Sequence, residues 1–155
     1  MGIARIRDGL TAYEATGARS GTTLSLALLA EALALAGKIE EGLAALDDAL
    51  ARAAVSGEGG WSAEIHRLRG ELTGRLPYPD PAKAEDSFRT ALAIAREQGT
   101  RGYELRAATS LARLWREEGR RGEARDLLTP VYGSFTEGFE TADLKEAKRL
   151  LDKLV

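Results

Sequence analysis

Four stretches of this chain align with one another without gaps. They begin at Gly2, Gly42, Ala84 and Ala124, separated by 40, 42 and 40 residues. Their first column is small (Gly2, Gly42, Ala84, Ala124) and their fifth large and apolar (Ile6, Leu46, Phe88, Leu128). The eighth is small or β-branched (Gly9, Ala49, Ala91, Val131) and the ninth large (Leu10, Leu50, Leu92, Tyr132). Spacings of i, i+4, i+7 and i+8 fall on one helical face, and the small columns let a neighbouring helix approach closely. A period of this length makes each unit depend on its neighbours to cover its apolar face, so the chain is expected to stack repeats.

A second helical pattern precedes each of the last three copies. It is built on Leu26, Leu29, Ala30 and Leu33, then on Leu68, Gly70 and Leu72, then on Ala108, Leu111, Ala112 and Trp115. Each unit is therefore a helix pair. The turns within pairs are Ala36-Gly37-Lys38, a proline-rich run from Pro77 to Pro81, and Glu118-Gly119-Arg120, where Gly suits a left-handed helix end and Pro81 a first helical turn. Polar, glycine-bearing breaks at 17–21, 56–60 and 98–102 separate the units. Helices are predicted at 2–16, 22–36, 39–55, 61–75, 81–98, 102–118, 121–135 and 141–154, the last opened by Thr141 as an N-cap candidate and keeping Asp143, Glu146 and its other charged residues on the wet side. Composition agrees: 27 Ala and 23 Leu stand against 8 Val and Ile together, which favours helix over sheet. The expected class is all-α.

The small-large-small-large helix, preceded by a turn glycine and an apolar first helix, resembles the tetratricopeptide repeat (TPR) in a lengthened form. Leu111, Ala112, Trp115, Gly119, Ala124, Leu128 and Val131 stand at its motif positions, whereas His66 and Arg69 replace large apolar residues and Pro79 replaces the turn glycine, so a looser or register-shifted second unit is expected. The resemblance implies a right-handed superhelical array of antiparallel pairs in one domain, 1–155: a half repeat at 2–17, repeats at about 22–57, 61–99 and 102–136, and a capping helix at 141–154. The stretches from Glu64 to Leu72 and from Arg106 to Lys148 further resemble the carboxy-terminal repeat region of large bacterial signalling ATPases and of adenylate/guanylate cyclase-type regulators. That likeness implies a regulatory arm of a bacterial, cytoplasmic signalling protein. Because residue 2 opens on the second helix of a pair, a fragment of a longer or engineered protein is expected. Helix 1 is then expected to expose an apolar face and to support a homodimer, the alternative being that Ile3, Ile6 and Leu10 all turn inward onto helix 2.

Chemistry is scarce. The chain has no Cys and one His, which removes disulfides, thiol catalysis and multi-histidine metal sites. No apolar run approaches the length of a membrane span, so no membrane role is expected. The run from Gly17 to Thr23 lacks the Lys and the glycine spacing of a phosphate loop. His66 reads as a partly buried imidazole satisfied by a neighbour, and Trp61, Tyr103 and Trp115 as packing aromatics. No nucleophilic set is evident, no cofactor or metal is implied, and a non-catalytic role is expected.

Charge is more informative. Residues 1–60 carry a net −3, 61–125 a net +3 and 126–155 a net −2. In the tetratricopeptide register the first helix of each pair lines the concave groove, which implies groove positions at Glu64, Arg67 and Glu71 and at Arg106, Thr109, Arg113 and Arg116. The last four, at i, i+3, i+7 and i+10, form one stripe. Fixed guanidinium forks suit carboxylates, so a protein or peptide partner, acidic in character, is the expected ligand. The equivalent positions of the first pair, Leu24, Ala27, Glu31 and Ala34, are mostly apolar. Nucleic acid is not expected, since the net charge is −2 and no basic run interleaves with aromatics. The competing role is a structural or oligomerisation module that assembles through its terminal helices.

Overall fold

The computed structural model describes residues 2–15, 22–57 and 59–155. These form eight helices: α1 Gly2–Ala15, α2 Thr22–Leu35, α3 Ile39–Ser56, α4 Ser62–Thr73, α5 Pro81–Gln98, α6 Arg101–Glu117, α7 Arg121–Gly133 and α8 Ala142–Lys153. Every boundary lies within two residues of the predicted one. The pairs α2/α3, α4/α5 and α6/α7 pack antiparallel, and each second helix also packs on the next first helix. The first helices touch in series, α2 on α4, α4 on α6 and α6 on α8, whereas α3, α5 and α7 make no contact with one another among the described residues. The array thus has a continuous inner layer and a splayed outer one.

Turn chemistry sets the pairing. Gly37 and Gly119 sit at φ 79° and 80°, a conformation that costs other residues a Cβ clash. The amides after them close the helix ends: Lys38 N–H donates to Leu33 O at 2.8 Å and Arg120 N–H to Trp115 O at 2.7 Å. The middle turn uses no left-handed glycine, since Gly74 closes α4 at φ −70°. There Asp80 caps α5 by accepting from the Lys83 amide at 3.1 Å, and Pro81 fills the first helical position.

The core divides in two. Leu26, Leu29, Leu33, Leu46, Ile65, Leu68 and Leu72 centre one cluster on α2 to α4, and Phe88, Leu92, Leu105, Leu111, Trp115, Leu128 and Leu144 centre another on α5 to α8. The two meet where Gly70 lies against the Phe88 ring, whose atoms stand only 2.6 Å from where a Cβ would be. Gly42, of the first small column, packs as closely: a Cβ there would stand 2.7 Å from the Leu72 side chain and 3.2 Å from Ala30 O, the close approach expected of that column.

Four expectations need correction. Ile3, Ile6 and Leu10 turn onto the α2 core and are half-buried, so among the described residues α1 exposes no large apolar side chain and the basis for dimerising through it is gone. Arg69, standing where the motif wants a large apolar residue, remains half-buried by pairing with Asp47 of α3 at 2.8 Å. His66 is half-buried without a hydrogen bond among the described residues. Burial, then the Arg69 charge, pushes its imidazole below the usual value. Thr141 occupies the N-cap of α8, but its hydroxyl donates backwards to Gly138 O at 2.7 Å and caps nothing. The 17–21 segment lies outside the described residues.

Candidate partner-binding groove

The stripe read from the sequence is a real surface feature of α6, and the neighbouring helices meet it with carboxylates. Arg106 lies 2.7 Å from Glu64 of α4 and 3.5 Å from Asp143 of α8. Arg113 repeats the arrangement one step along, 3.6 Å from Glu71 of α4 and 2.7 Å from Glu146 of α8. Arg67 grips Glu64 with two donors at 2.9 and 2.6 Å and lies 3.6 Å from Glu71. The Ser110 hydroxyl donates to Glu71 at 2.7 Å and accepts from Arg67 at 3.4 Å. Three helices are thereby joined by one alternating lattice of charge.

Its depth decides its energetics. The side chains of Glu64 and Arg67 are only 9% and 13% exposed, so their pairing takes place largely away from water. Burial works against the Arg67 cation, but Glu64, Glu71 and Glu31 outweigh it and hold the guanidinium above its ordinary value. Two of the expected groove residues are consequently covered. Arg67 is enclosed by its partners, and Thr109 is buried with its hydroxyl donating to Leu105 O at 2.7 Å. Arg106, Glu71 and Arg113 reach the surface at about a third exposure. Arg116 is half-buried and makes no ion pair among the described residues. The lattice removes the reason for expecting an acidic ligand, because a carboxylate approaching Arg106 or Arg113 has to displace one already in place.

Sequence reasoning placed Asp143 and Glu146 on the wet side of the cap, where both stay exposed, yet their carboxylates also reach Arg106 and Arg113 of α6. Their i, i+3 spacing was the available signal. Ser110 was missed for another reason: a hydroxyl between Thr109 and Leu111 in an alanine-rich stretch reads as a packing position until the α4 carboxylate is seen beside it.

Two shallow clefts open on either side of α6. One, about 160 Å³, runs between α4 and α6 over Gly70, Gly74 and Phe88, rimmed by Glu71, Arg75, Arg113 and Glu117. The other, about 100 Å³, lies between α6 and α8 under Arg106, Arg113, Asp143 and Glu146. Farther along the layer the polarity changes. On α2 the matching positions are half-buried Leu24, buried Ala27 and Ala34, and exposed Glu31.

No protein-family model matches the sequence. The chain is 35% identical over 113 residues to an uncharacterized protein of Rhizobium meliloti (strain 1021), an alignment covering 73% of this chain and 11% of that one. It is also similar to a crystal structure of nearly identical TPR-like repeats, from a Podosopora anserina protein described as a kinesin light chain. The TM-score is 0.69 at 18% identity, over 98% of this chain and 75% of the other. The fold is thus a TPR-like right-handed array of antiparallel helix pairs closed by a carboxy-terminal helix.

Away from the inner layer, α5, α6 and α7 are tied by a second polar cluster. The guanidinium carbons of Arg89 and Arg120 lie 5.2 and 4.7 Å from the centre of the Trp115 ring, within cation–π range. Arg120 also reaches Glu85 at 3.0 Å and Glu123 at 2.8 Å. Burial pushes the Glu85 carboxyl up, but hydrogen bonding to Arg89, the approach of the Trp115 indole and Arg120 together hold it below its usual value. The buried Trp115 Nε1 still falls short of hydrogen-bond geometry with any group among the described residues. These contacts staple helices together.

Proposed function

We propose that the chain is a non-catalytic protein-interaction scaffold, acting as one domain, whose inner layer binds an extended segment of a partner protein. The observation that carries this reading is the pair of clefts flanking α6, which open on a rigid charge lattice and are sized for single side chains. Arg106, Arg113 and Glu71 rim them, Arg67 and Thr109 form the support beneath, and Arg116 offers an unpaired donor fork at the end of the stripe. Because cations and carboxylates alternate along the surface, the partner segment is expected to carry both charges, followed by an apolar residue that meets Leu24. The likeness to the repeat regions of bacterial signalling ATPases supports a regulatory arm of a cytoplasmic signalling protein. No described helix is long and apolar enough to cross a membrane.

Selection of random displayed peptides on the immobilised chain tests the reading. Selected peptides should lose roughly tenfold or more in affinity towards Arg116→Glu and Leu24→Glu, about 1.4 kcal/mol or more. Equal binding to both variants would remove the groove from the account. The competing assembly role rests on exposed leucines of α2 outside the groove.

A further inference from the structure

The cleft between α4 and α6 has a counterpart one step earlier in the inner layer, between α2 and α4, and the two steps are finished differently. The register that aligns Leu24, Glu64 and Arg106 also aligns Ala34 with Gly74, Arg75 with Glu117, and Leu68 with Ser110. At the earlier step Leu68 is buried in the core shared with α2, and Arg75 Nη2 donates to Ala34 O at 3.3 Å, which sets a cation on the carboxy-terminal end of α2. At the later step the leucine is replaced by Ser110, whose hydroxyl is committed to Glu71, and a space of about 160 Å³ stays open over Gly70, Ala84 and Phe88. The arginine is replaced by Glu117, a side chain that cannot donate to a carbonyl when ionised. Among the described residues Gly74 O accepts no hydrogen bond, and the last turn of α4 carries no basic residue. The exposed Glu117 carboxylate likewise makes no ion pair or hydrogen bond among them.

We propose that the cleft between α4 and α6 is a subsite for an arginine side chain of the partner segment, which brings from outside the cation that Arg75 provides one step earlier. The inference rests on the reading that the inner layer takes such a segment, and it names one residue of it. Charge selects the sign of the guest. Three of the four charged residues around the cleft are engaged: Arg75 by Ala34 O, Arg113 by Glu146 at 2.7 Å and Glu71 by Ser110 at 2.7 Å. Glu117 is the fourth, and the negative end of the α4 dipole opens on the same cleft through Gly74. An acidic guest would meet Glu71 and Glu117 with no free cation to answer it, and an apolar guest would leave Glu117 and Gly74 O to water. Shape selects guanidinium over ammonium. Its planar fork donates to a carboxylate and a carbonyl together, and its weaker hydration suits a site open on one side. The aliphatic stem behind it then covers the apolar floor of Ala84, Phe88 and Leu114.

The probe is N-acetyl-arginine methylamide, titrated into the isotope-labelled chain and followed by amide chemical shifts, with the lysine analogue as comparison. The arginine probe should move the amides of Gly70, Gly74 and Glu117 saturably, with a Kd in roughly the millimolar range open to so small a ligand. Glu117→Gln should weaken it by about threefold or more. Glu117→Arg builds into the chain the residue found at Arg75, and should weaken the probe by roughly tenfold or more, since the guest then meets a cation already in its place. Glu97→Arg makes the same charge change at an exposed position farther along α5, and should leave the probe within about twofold. No saturable shift at Gly70 and Gly74, equal affinity for the lysine analogue, or an equal loss on Glu97→Arg would each overturn the proposal. The comparison of the two probes on the parent chain decides the matter even where a Glu117 variant fails to fold. The groove reading fails separately: the probe reads the cleft with no peptide present, whereas peptides that bind the parent and not Leu24→Glu keep the groove in place whatever the probe shows.

Discussion

At corresponding places on the inner layer, α2 presents Leu24, Ala27, Glu31 and Ala34, and α6 presents Arg106, Thr109, Arg113 and Arg116. The register is the same and the consequences differ. In α6 the cations lie between two helices, α4 and α8, each of which supplies carboxylates. In α2 an inner helix lies on one side only among the described residues, and Leu28 and Leu35 leave an exposed apolar edge. A polar inner helix is stable in this array when both neighbours satisfy it, since a buried charge left with one partner removed costs more than an apolar residue in its place. An apolar inner helix needs no such matching, which leaves its groove face free for an apolar contact.

The largest expected effect tests whether the halves differ in their cores as well as on their surfaces. Leu46→Ala and Phe88→Ala occupy the same column in the two clusters and are nearly or fully buried. Each should cost about 2–5 kcal/mol in denaturant unfolding through the cavity left behind. A cost under about 1 kcal/mol for either would show that its half does not share the common packing. Next comes the lattice. Glu64→Gln strips Arg67 and Arg106 of a shared carboxylate and should cost about 3 kcal/mol, whereas Leu24→Gln at the matching place in α2 should cost under about 1 kcal/mol. Equal costs would erase the contrast between the two helices.

A smaller effect follows from sign. Arg113→Glu sets a carboxylate against Glu71 and Glu146 and should lower stability by about 1 kcal/mol at low salt, less as screening shortens to the roughly 8–10 Å of moderate ionic strength. Glu31→Arg in α2 reverses only the weakest of the three carboxylate influences on Arg67 and should cost less than Arg113→Glu, about 0.5 kcal/mol at low salt and less as screening shortens. The smallest effect is the pH dependence of the first half. Because His66 binds its proton more weakly folded than unfolded, the unfolded chain takes up more protons as pH falls below 6.5, and stability declines over that interval and then levels. His66→Gln should flatten this slope in denaturant midpoints measured between pH 7 and the acid range, leaving the separate loss below 4.5 to which Glu85 contributes by the same sign of argument. An unaltered slope would show that His66 does not carry it.

Much of this architecture could be read before any coordinates. The columns Leu46, Phe88 and Leu128, the turn residues Gly37 and Gly119, and Pro81 specify helix, turn and pairing through local geometry, which depends on residues a few positions apart. The stripe on α6 was legible for the same reason, as four side chains on one helical face. Its state was not. Whether Arg106 and Arg113 are free or satisfied depends on Asp143 and Glu146, more than 30 residues away on a helix whose charges look equally suited to solvent. Arg67 and Thr109 were assigned to the surface because register gives direction but not depth.

The sequence by itself determined the period, the helices and which face of each turns inward, because hydrophobic spacing and turn conformation act over one or two helical turns. Only the tertiary structure decided that Arg106 and Arg113 of the basic stripe are neutralised, that helix 1 turns its isoleucines inward, and that the uncovered apolar edge belongs to α2. Those outcomes depend on which distant side chains come within a few ångströms, and Coulomb attraction and burial are both settled by that distance.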